Sequence, residues 1–187
     1  MATETPDFRV VEEHGAVQVR DYDALVAVET VVDAAFEDAG GIAFRRLFDY
    51  ISGANEARRK IAMTAPVIQE TAALETASPA VLGNGGEGWR IAFLLPSDIA
   101  WENAPAPRDG RVELRRIPPR RLAAIRFSGA WSEERFEVHH RRLAQLIADR
   151  GWRIVGEPVY ARYNAPFTPS FMRRNEVLIP IAAADPS

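Results

Sequence analysis

The sequence predicts an α+β domain in which two strand–strand–helix–strand–strand units form an antiparallel sheet with two packed helices. Segments rich in β-branched and apolar residues occur in pairs joined by short turn sequences, which is typical of antiparallel strands. Each unit also contains one stretch whose apolar residues recur at helical spacing. With 187 residues, of which 47% are hydrophobic, the chain can bury one sizeable core. We therefore expect a single domain over residues 1–187, with the two units at about 8–95 and 111–181.

The first unit is predicted to contain strands at residues 8–12, 17–20, 25–32, 60–69 and 89–95, with a turn at His14-Gly15. Its helix is indicated by an apolar stripe made of Gly40, Ala43, Phe44, Leu47, Phe48 and Ile51. Gly53 follows this stripe as a C-terminal cap. Residues 70–88 are rich in Ala, Thr, Gly and Ser, and predict a long mobile loop.

The second unit is predicted to contain strands at residues 112–117, 121–127, 154–162 and 176–181. Ser132 is expected to cap the N-terminus of its helix, because Glu133 and Glu134 follow in the positive first turn. The apolar stripe of this helix consists of Phe136, Leu143, Leu146 and Ile147, and Gly151 ends it.

Composition argues against several classes of protein. The net charge of −3 is unsuited to a broad nucleic-acid-binding surface, which needs a basic excess. No apolar run approaches the roughly 20 residues that span a bilayer, and the N-terminus lacks the pattern of a secretory signal. A cytoplasmic location is the expectation. The absence of cysteine excludes disulfides, thiolate nucleophiles and covalent haem attachment through cysteine.

No recognisable catalytic or metal-binding pattern is present. His14 lies in a turn, and His139 and His140 lie at the edges of a helical stripe, where amphipathic packing explains them. These histidines lack the spacing of a His-Glu-x-x-His site. Ser128 is not embedded in a Gly-x-Ser-x-Gly elbow. The sequence therefore predicts no catalytic residue and no metal site.

Two distant segments, at residues 58–68 and 160–177, place cationic side chains beside an apolar run that contains a proline. Arginine pairs with carboxylates in a bidentate manner, while an apolar wall removes hydrocarbon from water. This combination suits a flat, apolar ligand that carries carboxylates.

These segments also carry a family resemblance. KIAMTAPV at residues 60–67 and YNAP with RRNEV at 163–166 and 173–177 resemble motifs of the SOUL haem-binding protein family. AFRRLFDYISG at 43–53 and RFSGAWS at 126–132 are also similar to family motifs, and the resemblance runs from about Phe8 to Ile181. It implies a pseudo-symmetric, strongly twisted eight-stranded antiparallel β-barrel flanked by two long helices. It also implies a shallow hydrophobic cleft for haem or a related tetrapyrrole beside the first helix.

The resemblance suggests a set of ligand-binding residues in or beside these motifs: Phe44, Arg45, Arg46, Phe48, Arg59, Lys60, Met63, Phe171, Arg173 and Arg174. Plain core packing is the alternative for Met63, and surface charge is the alternative for the arginines. On helical spacing Leu47 lies near the centre of the first stripe, while Phe44 and Phe48 lie to one side. No histidine occurs between Gly15 and Val138, so haem near this helix is expected to lack an axial histidine.

The function predicted from these observations is tetrapyrrole binding as an intracellular buffer or carrier, without catalysis. Two alternatives remain open. One is a small-molecule sensor or protein-interaction module, because the doubled strand–helix plan also resembles the effector-binding domains of bacterial regulators. The other is an enzyme that acts on a tetrapyrrole. The sequence does not identify a protein partner.

Overall fold

The computed structural model of the chain describes residues 3–72 and 88–183. They form an α+β fold with two long helices, as predicted, and with ten strands. The strands are β1 (Phe8–His14), β2 (Val17–Tyr22), β3 (Leu25–Val32), β4 (Val67–Ala72), β5 (Gly88–Leu94), β6 (Glu113–Ile117), β7 (Arg120–Phe127), β8 (Trp152–Ile154), β9 (Val159–Arg162) and β10 (Asn175–Ala183). The helices are α1 (Phe36–Ile51) and α2 (Glu133–Asp149).

All strands belong to one antiparallel sheet in the order β1-β2-β7-β10-β9-β4-β5-β3-β6, and β8 pairs with the end of β10. From β2 to β6 the strand order is pseudo-symmetric. Counted inwards from the two ends, β2 corresponds to β6, β7 to β3, β10 to β5 and β9 to β4. The two units are therefore related by a pseudo-two-fold axis between β4 and β9. The axis places α1 and α2 on opposite halves of one sheet face.

The closed barrel implied by the resemblance is not found. Closure would require pairing between the outer strands β1 and β6, and no ladder joins them within the described residues. β6 is short and is followed by Pro118-Pro119, which carry no N–H to extend a ladder. The sheet is consequently open and has ten strands, not eight.

Two predicted strands are shorter than expected because proline interrupts them. Residues 60–66 are not part of β4; Pro66 has no N–H, and the Ala65 N–H donates instead to the Glu4 carbonyl at 2.8 Å. The segment predicted at 154–162 divides into β8 and β9 around Gly156 and Pro158. A Cβ on Gly156 would lie 3.1 Å from the Pro180 ring, so this position favours glycine.

Both helices lie where the apolar periodicity of the sequence predicts them, but α1 begins earlier. α1 begins at Phe36, one turn before Gly40, the first residue of the predicted stripe, and its first turn carries Glu37 and Asp38, which suit the positive helix end. In α2 the predicted cap is confirmed, because the Ser132 hydroxyl accepts from the Arg135 N–H at 3.4 Å. Within residues 3–72 and 88–183, no helix is long and apolar enough to cross a membrane.

The central strands of the sheet are buried on both faces, and each face has its own core. The face under the helices contains a ring cluster in which Phe36, Phe136 and Tyr160 lie 5.3–5.5 Å apart, centroid to centroid. The opposite, concave face holds a smaller core of residues that alternate along the same strands, including Ile68, Leu122 and Leu178. Of the predicted mobile loop at 70–88, only the ends are described, as parts of β4 and β5; residues 73–87 lie outside the described residues.

Candidate functional site

One flank of α1 presents an aromatic pair to solvent. The Phe44 and Phe48 rings stack at 5.5 Å with an interplanar angle of 15°, and they remain 40% and 46% exposed. Phe44 also meets the Phe93 ring of β5 edge-on at 5.5 Å. Leu47 is fully buried between the helix and the sheet, so the position predicted at the centre of the stripe is indeed the anchor. Apart from the contact between Phe44 and Phe93, the flank presents a partly exposed apolar surface to solvent.

The two adjacent arginines of α1 point to different sides. Arg45 and Phe48 are three residues apart, and so about 60° apart around the helix axis. Arg45 is exposed on this aromatic flank. Arg46 turns towards β3, where its guanidinium donates to the Thr30 hydroxyl at 3.2 Å. Of the two, only Arg45 shares a side with the aromatic pair.

The segment after α1 is held in place by Asn55. This buried side chain donates to the carbonyls of Tyr50 and Arg59 at 2.9 and 2.7 Å, and accepts from the Arg59 N–H at 3.0 Å. The Arg59 side chain lies 3.5 Å from the Asp98 carboxylate, and Lys60 is exposed. Asn55 therefore fixes the backbone that carries Arg59 and Lys60 just after the C-terminal end of α1.

Met63 is half-buried and packs against the core beneath the helices. Its sulfur therefore serves packing at least in part, and its exposed portion remains available to a ligand. The thioether is soft and polarisable, which suits contact with an aromatic ring system.

The remaining candidates lie in the loop before β10, and two of them already have partners. Arg173 donates to the carbonyls of Thr168 and Pro166 at 2.8 and 2.7 Å, and its guanidinium lies 4.4 Å from the centre of the Trp131 ring. Arg174 donates to the buried Glu176 carboxylate at 2.8 Å. Phe171 is largely exposed.

The structure thus separates the candidates into two groups. Phe44, Phe48 and Arg45 share one flank of α1, with Arg59, Lys60 and Met63 on the segment that follows the helix. Phe171, Arg173 and Arg174 form the second group. Among the described residues no hydrogen bond, ion pair or ring contact joins the two groups. A ligand that used both would have to bridge them itself.

A buried arginine at the junction of the two helices was not anticipated from the sequence. Arg162 on β9 is only 8% exposed and donates to the Gln69 amide oxygen at 2.6 Å. Its guanidinium lies 5.2 and 5.3 Å from the Phe36 and Trp131 ring centres, and burial lowers its pKa to about 10. A Cβ on Gly40 would fall 2.6 Å from its Nη1, which explains a glycine inside α1. The one available sequence signal was an arginine that ends an apolar strand.

The three histidines lie away from the aromatic flank. His14 ends β1, and the His139 ring stacks on Phe127 at 3.8 Å, on the half of the sheet that α2 covers. His140 contacts the Glu137 carboxylate at 3.3 Å. In the portion of the chain that is described, no group of three or more His, Cys, Asp or Glu side chains is placed to hold a metal ion.

Comparison with known proteins agrees with this architecture. The model of the family described as SOUL heme-binding protein matches residues 3–180. Human Heme-binding protein 2 is 29% identical over 184 residues, covering 94% of this chain and 85% of the human protein. The EcmrR C-terminal domain has a TM-score of 0.63 at 12% identity, covering 90% of this chain and 98% of that domain. A hydrolase from Listeria innocua has a TM-score of 0.63 at 11% identity, covering 89% and 91%. At these identities the two structures show a shared fold alone.

Proposed function

Since the chain belongs to the SOUL heme-binding protein family, we propose that it binds haem or a related tetrapyrrole on the aromatic flank of α1, as a buffer or carrier. The observation that supports this most directly is the stacked, half-exposed pair of Phe44 and Phe48. A porphyrin is flat and apolar over most of its surface, and aromatic rings favour offset or edge contacts with such a plane. Arg45 is exposed on this flank and Lys60 on the segment that follows α1, and we propose that they meet the propionates.

The expected affinity is moderate. Burying several hundred Å2 of porphyrin at about 25 cal/mol per Å2 provides ample gross free energy, but loss of rigid-body and side-chain freedom offsets much of it. A shallow surface also leaves one porphyrin face in water. A dissociation constant of about 1 μM is therefore the expectation, which suits reversible loading.

Binding is proposed to occur without an axial histidine. His14, His139 and His140 are all outside α1 and the segment that follows it. Met63 is the sulfur-bearing residue of the candidate set, and its contact with the porphyrin edge would be through dispersion. Haem and metal-free protoporphyrin should then bind with similar affinity. Titration with haem would also reveal chemical conversion of the tetrapyrrole, which a buffer or carrier does not require.

The aromatic pair supplies the first test. Replacing Phe44 and Phe48 together by alanine should weaken haem binding about tenfold or more, because two ring contacts worth about 0.5–1.5 kcal/mol each are lost in addition to buried area. Absorbance titration with haem and with metal-free protoporphyrin measures both constants.

Ile42→Ala is the matched control, since Ile42 is an apolar residue of the same helix with 47% exposure. This control should bind within twofold of the parent protein. If the double variant remains folded and binds as tightly as the control, the cleft does not lie on this flank.

The two exposed cations proposed to meet the propionates, Arg45 and Lys60, supply a second test. Arg45→Gln and Lys60→Gln should each weaken haem by about tenfold if the side chain pairs with a propionate, because a charge-assisted hydrogen bond contributes about 1.5–3 kcal/mol at most. Both variants should bind the dimethyl ester of the same porphyrin nearly as the parent does. Arg46→Gln is the control, since that guanidinium is directed to Thr30. Equal losses for free acid and ester would show that these cations do not recognise carboxylates.

A further inference from the structure

The concave face of the sheet contains a pocket on the side away from both helices. Its volume is about 210 Å3, and its apolar walls are formed by Leu25, Ile68, Leu94, Leu122, Val159 and Leu178. Five of these six belong to the concave core, and Leu25 packs against it. Their sequence neighbours, such as Val67 and Phe93, face the helices. The pocket and the aromatic flank of α1 are therefore separated by the thickness of the sheet.

The polar lining of this pocket is cationic. Arg120 and Arg174 line it together with the phenols of Tyr22 and Tyr163, and no Asp or Glu is among the described residues of the lining. Arg174 and the Tyr163 hydroxyl both donate to the Glu176 carboxylate, at 2.8 and 2.9 Å. These groups are already satisfied within the fold.

Arg120 differs from the others. Its guanidinium donates no hydrogen bond to another residue within 3–72 and 88–183, and it forms a long ion pair with the Glu70 carboxylate at 3.8 Å. The other oxygen of Glu70 accepts from Arg115 at 2.7 Å. Burial lowers the pKa of Arg120, which indicates a partly desolvated cation. The ion pair with Glu70 is long, so the guanidinium of Arg120, which lines the apolar pocket, keeps N–H donors that an anionic ligand can engage.

We propose that this pocket binds a small amphiphilic monocarboxylate, with its aliphatic or aromatic body against the leucine-rich walls and its carboxylate on Arg120. The volume is below the roughly 300–1,000 Å3 of pockets that hold drug-sized ligands, so a tetrapyrrole is too large. Apolar walls select the body of the ligand, while the planar guanidinium fork selects a carboxylate. This second site does not depend on the function proposed for α1.

Isothermal titration of the full chain with octanoate and with its neutral analogue octanamide tests the proposal without any substitution. Octanoate should bind at least about tenfold more tightly than octanamide, because only the carboxylate pairs with Arg120. Equal binding of the two, or no octanoate binding up to millimolar concentration, overturns the proposal.

A variant pair identifies the residue. R120Q should reduce octanoate affinity about tenfold and leave octanamide unchanged, while R142Q, which alters an exposed arginine of α2, should change neither. Thermal unfolding of both variants checks that each remains folded. Equal octanoate affinity in folded R120Q and R142Q would contradict the assignment.

Competition with haem separates this site from the one on α1. Protein saturated with octanoate should bind haem within twofold of the free protein, because the two sites lie on opposite faces of the sheet. Displacement of haem by octanoate would place the carboxylate on the α1 flank and overturn the second site. Failure of haem to bind at all would refute the function proposed above while leaving the octanoate result intact.

Discussion

Replacing Glu176 by glutamine is expected to lower the free energy of unfolding by about 3–5 kcal/mol, since removing one member of a buried ion pair leaves the remaining charge uncompensated. Glu176 is 0% exposed and accepts hydrogen bonds from Arg20 at 2.8 and 3.1 Å, from Arg174 at 2.8 Å and from the Tyr163 hydroxyl at 2.9 Å. Glutamine keeps the volume but loses the charge and one acceptor. Two guanidiniums would then share a site without a carboxylate.

The effect should depend on pH in a defined direction. Burial alone would raise the pKa of Glu176, but the hydrogen bonds and charge of Arg20 and Arg174 outweigh burial and hold the pKa below its usual value of 4.5. A lowered pKa in the folded state means that this stabilisation is fully present above about pH 4.5 and is lost as the pH falls through the folded-state value. The stability difference between parent and variant should therefore narrow in acid.

Denaturant unfolding of Glu176→Gln between pH 7 and pH 3 measures both results. Glu102→Gln is the matched control, because its ion pair with Arg116 at 2.9 Å is largely exposed. That control should change stability by less than about 1 kcal/mol at pH 7. A Glu176→Gln protein as stable as the control would mean that the two arginines do not depend on this carboxylate.

Truncating Leu47 to alanine is expected to cost about 2–5 kcal/mol, as other core leucine truncations do. Leu47 is fully buried on the face of α1 that packs against the sheet, where Ala39 and Ala43 are also fully buried and leave little bulk to refill a cavity. For a chain of this size the melting temperature should fall by roughly 4–20 °C.

The control for this prediction is Ile42→Ala, whose half-exposed side chain should contribute little to stability. Tetrapyrrole binding adds a second readout. Folded Leu47→Ala should retain haem affinity, while the double substitution of Phe44 and Phe48 should reduce affinity with a smaller loss of stability. If all these substitutions behave as stability variants with binding intact, the aromatic flank has only a structural role.

Local features of the sequence were sufficient for most elements. Apolar periodicity located α1 and α2, because one buried stripe is needed to attach each helix to the sheet. Ser132 identified the start of α2, since an unpaired helix N–H needs a nearby acceptor. Strand boundaries near proline were predicted less well. Apolar runs through Pro66 and Pro158 were predicted as continuous strands, although a residue without an N–H interrupts the ladder.

The candidate ligand residues were chosen by type and motif, and their placement depended on distant contacts. Helical spacing alone directs Arg45 and Arg46 about 100° apart, but the sheet decided which of them shares the aromatic flank, since Arg46 donates to Thr30 on β3. Arg174 was a candidate for a propionate, but the buried Glu176 two residues later engages it. The surroundings of Arg162 and Arg120 could not be predicted because the polar partner of each, Gln69 and Glu70, is at least fifty residues away along the chain.

By itself, the sequence determined the α+β class, the two helices, most strands and the family motifs, because these follow from interactions between near neighbours in the chain. Only the tertiary structure decided the strand order, the open edge at β1 and β6, and the two-sided burial of the sheet. The tertiary structure also decided which arginines form ion pairs or hydrogen bonds within the fold and which remain accessible to a ligand. The physical reason is that a guanidinium is paired by whatever carboxylate the sheet brings within about 3 Å, and that partner can be over a hundred residues away, as Arg20 and Glu176 are.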